Sequence, residues 1–480
     1  AQSETLAQVV GVSTAQAPAV RALADRWASA VSAVEAAGVA KERIVHFSVF
    51  TTNDPTEEYV AAAEAMPAAI EAPTADPTAW KLVQRDPVFD EYVGSYGPLP
   101  NYQAGTLPFA SFGDGGGLVL DDAGVPQVVD TYDARFTLTV PRTAVCAPPP
   151  NGYPIVLYAH GTGGDHRSFV LDGTAEALAA RCMATMGVDQ IFHGTRPGTP
   201  ETTAQIQILF FNFLNVEAAR TNVRQSGLDE VARGRLFTEG GAAIPAERSA
   251  TFQEIRFDAS KLMFFGHSQG SLNGPLFLAG SDAARGAVLS GASSVMQITL
   301  LEKTKPEPSV AYLVKTIFLN LFPEEEEEVS LLYPPMTLAQ TIVDPVDPVN
   351  YARLILRERA IGSPKSVYMT EGIGPTGEGD SYSPPRGCEA LAMAIGLPIQ
   401  SPVVHAPQDA AWGGLPEIAI PSAGLPGNLA GGMASGVLAQ WVPEKDDGHF
   451  VVFDIAGARA QSSEFLRLLA DNPYGVVPAP

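Results

Sequence analysis

The sequence predicts an α/β protein: a mostly parallel central sheet with helices on both faces, preceded by an α+β extension. Apolar, strand-like runs alternate with helical patterns from about residue 106 onward. These runs are nearly continuous in Val, Ile, Leu, Met and Phe, which is typical of strands buried on both faces. The 45 glycines and 40 prolines favour the many turns that such a fold needs.

Length and charge narrow the function classes. A chain of 480 residues is too long for one compact core, so we expect a large domain plus an extension, or two domains. The net charge of −23 repels phosphate backbones, so we expect no nucleic-acid partner. No apolar run reaches the roughly 18 residues of a transmembrane helix. The chain starts at Ala1, which we interpret as a processed start.

Residues 1–105 form the predicted α+β extension. Helices are expected in APAVRALADRWASAVSAVEAAG and TEEYVAAAEAMPAAIEA, and a strand is expected between them in RIVHFSVFTT. This segment offers no catalytic constellation of its own.

Residues 106–480 form the predicted main domain. Its strands are expected in DARFTLTVP, YPIVLYAHG, MATMGVD, KLMFFG, RGAVLSGAS and PKSVYMT. Its helices are expected in GTAEALAARC, in VEAARTNVRQSGLDEVARGRLF, after Ser268, and in SSEFLRLLADN.

A block at about 295–360 interrupts this alternation. SVAYLVKTIFLNLF has apolar residues at helical spacing behind Ser309, a predicted N-cap. The helix is either core or a lid over the active site, and its position between two late strands favours a lid. The acidic run Glu324–Glu328 that follows it predicts a solvated loop.

The pentapeptide GHSQG, Gly266–Gly270, follows an apolar strand and precedes a helix. Gly-x-Ser-x-Gly at such a turn indicates a nucleophile elbow, because the strained and crowded backbone there requires small flanking residues. Ser268 is therefore the predicted nucleophile, with a structural tight turn as the alternative. A serine hydroxyl needs a base, an acid that orients the base, and donors for the oxyanion.

The base and the acid are expected after Ser268. Only His405 and His449 follow it, and the polar turn KDDGHF favours His449 as the base. The acid is expected on the loop after SVYMT, where three carboxylates lie: Glu371, Glu378 and Asp380. Asp380 opens a turn that leads into a helix and is our prediction, with Glu371 the main alternative.

The loop HGTGG, His160–Gly164, ends an earlier strand and is the candidate oxyanion loop. We predict the backbone amides of Thr162 and Gln269 as its two donors, with a flexible glycine turn as the alternative. His160 is predicted to orient this loop rather than to act as the base.

Three cysteines leave at least one thiol unpaired. Cys146 and Cys388 could form a disulfide bond in an exported protein, with Cys182 free, and three reduced thiols are the alternative. No CxxC or HExxH spacing occurs, so we predict neither a zinc site nor a cofactor.

Together these motifs resemble the α/β-hydrolase superfamily, and more narrowly the bacterial lipases and esterases with an N-terminal extension, including virulence-factor lipases. The similar stretches span about 155–450: PIVLYAHGTGG, GVDQIFHGTR, FFNFLNVEAARTNVRQSGLD, FGHSQGSLNG, TEGIGPTGEGDSYSPP and DDGHF. RIVHFSVFTT is similar to the extension. The resemblance implies that Asp380, before the Tyr-x-Pro-Pro turn, is the triad acid.

The resemblance also implies hydrolysis of carboxylic esters by an exported enzyme. We therefore expect a secreted or cell-envelope serine esterase or lipase that acts on a small-molecule, lipid or polyester acyl ester, with peripheral lipid contact compatible with that role. The alternatives are a serine peptidase or amidase on the same fold, and a non-catalytic surface-binding protein.

Overall fold

A computed structural model describes most of the chain, namely residues 2–50, 52–307, 309–321, 329–407 and 415–480. The predicted acidic loop Glu324–Glu328 lies outside the described residues. The chain divides into two compact units, Ala1–Asp54 and Pro55–Pro480.

The first unit is helical. It contains α1 (Glu4–Val9) and α2 (Pro18–Ala36), and a small apolar cluster that includes Ile44 and Phe47. The strand predicted in RIVHFSVFTT is wrong for residues 44–50, which are irregular. A strand needs a hydrogen-bonded neighbour, and the described part of this unit has no strand to pair with.

The second unit is built on one large sheet. Its order is β1-β3-β6-β8-β7-β10-β11-β12-β16-β13-β14, with β2 beside β3 and β9 beside β10. The strands of the described chain are β1 (Thr74–Ala75), β2 (Lys81–Arg85), β3 (Phe89–Asn101), β4 (Gln103–Gly105), β5 (Gly115–Leu118), β6 (Asp130–Pro141), β7 (Tyr153–Ala159), β8 (Ala184–Val188), β9 (Ala243–Ile244), β10 (Ile255–His267), β11 (Ala284–Ser290), β12 (Ser366–Gly372), β13 (Ile399–Gln400), β14 (Glu417–Ile418), β15 (Leu425–Pro426), β16 (Gly436–Trp441) and β17 (Val476–Val477). Every neighbouring pair from β8 to β14 along this order is parallel.

Helices cover both faces of the sheet, as predicted. In this unit they are α3 (Glu57–Ala69), α4 (Ser168–Leu171), α5 (Thr174–Ala179), α6 (Thr203–Phe211), α7 (Val216–Ala219), α8 (Asn222–Thr238), α9 (Gln269–Gly280), α10 (Met296–Glu302), α11 (Val310–Leu313), α12 (Pro334–Val343), α13 (Pro348–Leu356), α14 (Pro385–Ile395), α15 (Val451–Asp454) and α16 (Ala456–Asp471).

Successive side chains of the central strands pack into two different hydrophobic cores. In β7, Ile155 and Leu157 belong to a core with residues of α8, α9, α13 and α14, whereas Val156 and Tyr158 belong to a core with residues of α5 and α16. Side chains alternate between the two faces of a strand, and here both faces are buried. This explains the continuous apolar runs of the sequence.

The unit boundary lies at Asp54–Pro55, whereas the sequence suggested a boundary at residue 105. Residues 55–105 contribute α3 and four strands to the second unit, and β3 pairs antiparallel with β6 from Phe89–Pro141 to Asn101–Asp130. Glycines and prolines within FDEYVGSYGPLPN obscure this strand in the sequence, and only its pairing with β6 assigns it to the sheet.

The predicted helical insertion lies between β11 and β12 and contains α10 to α13. From α10 to α12 it has its own apolar cluster, which includes Leu300, Val310 and Met336. In contrast, α13 packs in the main core, where Tyr351 and Ile355 are fully buried. The predicted helix begins at Val310 as α11 and continues as a π-helical segment, Val314–Phe318.

The disulfide bond joins Cys146 to Cys182, not to Cys388 as the sequence suggested. Cys146 lies on the connection into β7 and Cys182 on the connection into β8. Because β7 and β8 are parallel neighbours, both connections lie at one end of the sheet, and the two Cα atoms are 5.5 Å apart. Cys388 lies in α14, after β12, which is three strand positions or about 14 Å from β7. Its thiol is buried and free.

Candidate active site

Ser268 occupies a strained turn between β10 and α9. Its backbone has φ 55° and ψ −117°, an unusual conformation for a residue with a side chain. A Cβ on Gly266 would lie 2.5 Å from the Gly270 carbonyl oxygen, and one on Gly270 would lie 2.1 Å from that of Ala159. The turn therefore requires both glycines of GHSQG, as a nucleophile elbow does.

Asp380 and His449 meet on neighbouring loops. Asp380 follows β12 and His449 follows β16, and these strands are parallel neighbours whose C-terminal ends lie side by side. His449 Nδ1 is 2.7 Å from Asp380 Oδ2, and both side chains are buried. No strand was predicted at β16, the strand that precedes the loop carrying His449, hereafter the histidine loop.

The other Asp380 carboxylate oxygen is held by the backbone. Oδ1 accepts the amides of Tyr382 at 2.8 Å and Ser383 at 2.7 Å. This fixes the carboxylate, so that Oδ2 holds the Nδ1 proton of His449. The opposite ring nitrogen, Nε2, is then the acceptor that a general base needs.

The rival residues lie elsewhere. Glu371 is buried at the end of β12 and accepts a hydrogen bond from Gln440 Nε2 at 2.9 Å, while Gln440 also bonds the backbone of His405. Burial, followed by the nearby Glu389 carboxylate, raises the pKa of Glu371 well above its ordinary value. Glu378 bonds Thr376 at the surface. None of these residues is hydrogen-bonded to His449 in the described chain.

Thr162 and Gln269 lie together, as predicted. Thr162 Oγ1 donates to Gln269 Oε1 at 2.9 Å. This hydrogen bond joins the loop His160–Gly164, hereafter the glycine loop, to the start of α9. Neither backbone amide has an acceptor among the described residues, whereas the Gly163 amide donates to His193 Nε2 at 2.8 Å. The Thr162 and Gln269 amides can therefore receive a ligand oxygen.

Two buried histidines order the glycine loop. His160 Nε2 accepts the Gln190 amide and its Nδ1 donates to Gly161 O, while His193 Nδ1 donates to Ile191 O. Burial lowers the pKa of His160 to about 4 and that of His193 to about 3. Both rings stay neutral near pH 7, so each presents one donor and one acceptor. His160 orients the loop as predicted, and His193, in GVDQIFHGTR, was missed.

Ser268 and His449 line one open cavity of about 610 Å³. The walls come from the glycine loop, α4, α6, the start of the insertion and the histidine loop. No hydrogen bond joins Ser268 Oγ to His449 in this structure; such contacts often tighten only when substrate binds. A Cβ on Gly291 would lie 2.7 Å from His449 Cε1, so a glycine is needed behind the imidazole.

The chain is similar to solved structures at low sequence identity. The chain is similar to acetyl xylan esterase 1 from Thermoanaerobacterium sp. JW/SL YS485, with 13% identity, a TM-score of 0.47, and coverage of 87% of this chain and 96% of the other. It is also similar to an acetyl xylan esterase from Paenibacillus sp. R4, with 14% identity, a TM-score of 0.41, and coverage of 78% and 89%. No family model matches the chain, and no curated protein does.

The topology decides the fold. The strand order is β3-β6-β8-β7-β10-β11-β12-β16, and Ser268, Asp380 and His449 follow β10, β12 and β16 in the chain order Ser, Asp, His that is typical of the α/β-hydrolase fold. The chain has the α/β-hydrolase fold. Within this hydrolase fold, the narrower resemblance to virulence-factor lipases stays a prediction.

No role was predicted from the sequence for further residues that line the hydrolase cavity. The Tyr382 ring stacks on the His449 ring at 4.9 Å, and the His267 ring lies 4.8 Å from it. Burial, followed by His449, lowers the pKa of His267 far below its ordinary value, so this ring is neutral. Lys303 and Pro306 reach the cavity from the insertion. Only the fold places Lys303 and Pro306 beside the predicted residues.

The described residues contain no group of three or more His, Cys, Asp or Glu side chains arranged to hold a metal ion. Among the described helices, none combines the length and the apolar character needed to cross a bilayer.

Proposed function

We propose that this chain is a serine hydrolase that cleaves carboxylic esters through an acyl-enzyme intermediate. One observation carries the proposal. Ser268 in its strained turn, Thr162 and His449, which is hydrogen-bonded to Asp380, line one open cavity, and the amides of Thr162 and Gln269 have no acceptor among the described residues.

The acylation step uses each of these groups. Ser268 Oγ attacks the ester carbonyl carbon while His449 Nε2 takes the hydroxyl proton. Asp380 stabilises the imidazolium through Nδ1–H, and the Thr162 and Gln269 amides donate to the oxyanion. The tetrahedral intermediate then expels the alkoxide, which leaves as the alcohol with the proton from His449.

Deacylation repeats the steps with water. His449 Nε2 removes a proton from a water molecule, whose oxygen attacks the acyl-serine carbonyl carbon. The second tetrahedral intermediate breaks the bond to Ser268 Oγ, which regains its proton from His449, and the carboxylic acid departs. No cofactor enters either step.

The cavity favours short or medium acyl groups. Its volume of about 610 Å³ suits a small ester. An apolar slot under the insertion, lined by residues such as Phe210, Met296, Leu300 and Val310, has a volume of only about 30 Å³. A long acyl chain would have to open this slot, so we expect activity to fall with chain length. Activity that peaks at long chains would instead favour the predicted lid.

We further propose that the protein works outside the cytoplasm. The Cys146–Cys182 disulfide supports this, because structural disulfide bonds persist mainly in oxidising compartments. Peripheral contact with lipid remains part of this proposal.

The decisive test compares wild type with Ser268→Ala on p-nitrophenyl esters from acetyl to palmitoyl. We expect kcat to fall by roughly 10⁴-fold or more in the variant. Wild-type activity should peak between acetyl and hexanoyl esters. Ser260→Ala, an exposed serine on the same strand, is the matched control and should retain wild-type rates.

A Ser268→Ala protein with unchanged kcat would overturn the assignment of the nucleophile. Covalent labelling by a fluorophosphonate probe offers an independent readout, since it requires an activated serine but no particular ester. Labelling of wild type that persists in Ser268→Ala would count equally against the proposal.

A further inference from the structure

Lys303 is the one lysine or arginine among the described residues that line the catalytic cavity. It follows α10, at the start of the insertion, and the residue is only 8% exposed. It also lines the apolar slot under the insertion, so this one residue borders both the cavity and the slot. The proposed ester hydrolysis does not use it.

The Lys303 ammonium group is incompletely paired. Nζ donates to the Tyr382 carbonyl oxygen at 2.7 Å and lies 5.4 Å from the centre of the Tyr382 ring. An ammonium group has three hydrogens to donate. No described carboxylate lies within ion-pair distance of Lys303, although many other cations of the chain have such a partner.

The nearest acidic groups are already engaged. Asp380 binds His449 and two backbone amides. Asp447 accepts from the amides of Ser381 and His449 and from Lys305 Nζ. Burial lowers the pKa of Lys303 to about 8, and Asp380 and Asp447 oppose this shift, so the amine is largely charged at pH 7.

A buried cation without a carboxylate partner is costly to the folded protein. The cost is recovered when an anion enters the cavity and takes the free ammonium hydrogens. Hydrogen bonds between charged groups are also stronger than hydrogen bonds between neutral groups. Such a cation lines the same cavity as Ser268 and His449.

We propose that Lys303 binds an anionic group of the substrate, so that the preferred substrates are carboxylic esters carrying a carboxylate or similar anion near the scissile bond. This rests on the proposed ester hydrolysis. The apolar slot beyond Lys303 is too small and too apolar to admit an anion, which therefore stays at the ammonium group. The anion can belong to the acyl group or to the alcohol.

Two matched pairs of esters test this and separate the two sources. The acyl pair is mono-4-nitrophenyl adipate against 4-nitrophenyl hexanoate. The alcohol pair is the hexanoyl ester of 4-hydroxybenzoate against phenyl hexanoate. For each pair we measure kcat/KM of wild type, Lys303→Met and Lys303→Arg, and we divide the value for the anionic ester by that for the neutral one.

We expect this ratio to fall about 10-fold to 100-fold in Lys303→Met for one of the pairs, mainly through a higher KM. Lys303→Arg keeps the charge and should retain most of the ratio. A ratio unchanged in Lys303→Met for both pairs would overturn the proposal. So would an equal loss on anionic and neutral esters, because that indicates that Lys303 only positions Tyr382.

Failure of the proposed ester hydrolysis can be distinguished from failure of the proposed anion site at Lys303. Ser268-dependent turnover of 4-nitrophenyl hexanoate tests hydrolysis without Lys303. Calorimetric binding of monoethyl adipate and monohexanoyl 4-hydroxybenzoate to Ser268→Ala, with and without Lys303→Met, tests the anion site without turnover. Equal binding of both ligands to the two proteins would contradict the anion site, and the thermal melt of each variant establishes that it is folded.

Discussion

At the scale of single residues, two nearby carboxylates of the same loop region have opposite surroundings. Asp380 accepts two backbone amides and faces His449. Glu371 points into a buried group with Gln440 and has one carboxylate oxygen without any partner in the described structure. The hydrogen bonds to Asp380 orient its carboxylate toward His449, whereas burial disfavours the anion of Glu371 and raises its pKa.

Asp380→Asn should lower kcat on 4-nitrophenyl hexanoate by about 10⁴-fold. The asparagine oxygen can still accept the two backbone amides, so the loop should stay folded. Its amide group would then face His449 Nδ1 as a donor and favour the wrong imidazole tautomer. A thermal melt close to that of wild type, with the activity lost, is the expected combination.

Glu371→Gln is the matched control and should keep kcat within about threefold, since residue 371 does not contact the imidazole. The difference in stability between this variant and wild type should change with pH in one direction. An unfolded glutamate ionises above about pH 4.3, but folded Glu371 stays protonated, so wild type loses stability as pH rises through this range. The melting temperature of the variant relative to wild type should therefore rise from pH 4 to pH 8. A difference that does not vary with pH would contradict the raised pKa.

At the scale of elements, the connections between strands assemble the site. Ser268, Asp380 and His449 follow β10, β12 and β16, and parallel pairing brings the C-terminal ends of these strands to one edge of the sheet. At the opposite end of the strands, the connections into β7 and β8 are joined by the disulfide bond. The bond therefore acts on stability and not on the catalytic cavity.

Reduction of the Cys146–Cys182 bond should lower the free energy of unfolding by about 4 kcal/mol, from the loop entropy released by a sequence separation of 36 residues. Cys182→Ser should melt at a lower temperature than wild type and should no longer respond to reductant. Cys388→Ala serves as the control and should remain reductant-sensitive, with no titratable thiol left before reduction. Reductant-insensitive melting of wild type would contradict a stabilising bond.

At the scale of the whole molecule, the two units predict how the chain tolerates truncation. Unit Pro55–Pro480 contains every strand of the described chain, including β3, which carries the fully buried residues Tyr92 and Leu99. Removal of residues 1–54 therefore leaves the sheet complete. Removal of residues 1–105 takes away β3 and exposes the edge of β6.

A chain that begins at Pro55 should thus fold, melt cooperatively and react with a fluorophosphonate probe at Ser268. A chain that begins at Thr106 should fail in all three respects, or should aggregate. Circular dichroism and probe labelling of both proteins check this. Equal behaviour of the two truncated chains would show that β3 does not belong to the essential sheet.

Local patterns determined the parts of this protein that depend on neighbouring residues in sequence. The apolar strands, the elbow glycines around Ser268 and the chain order of Ser268, Asp380 and His449 could all be predicted, because backbone strain and burial leave a mark on adjacent residues. The preference for Asp380 over Glu371 came from a resemblance, and the hydrogen bonds of the two carboxylates now supply a physical reason.

Only the tertiary structure decided features that join distant segments. The pairing of Cys146 with Cys182 depends on β7 lying beside β8, and the assignment of β3 to the sheet depends on β6. His193 gains its role from its hydrogen bond to the Gly163 amide, and Lys303 from its place in the cavity wall, and a single residue of a common type does not reveal such a contact in the sequence. Contacts between segments that are far apart in sequence depend on which strands are neighbours in the sheet. Local patterns along the sequence do not reveal that strand order.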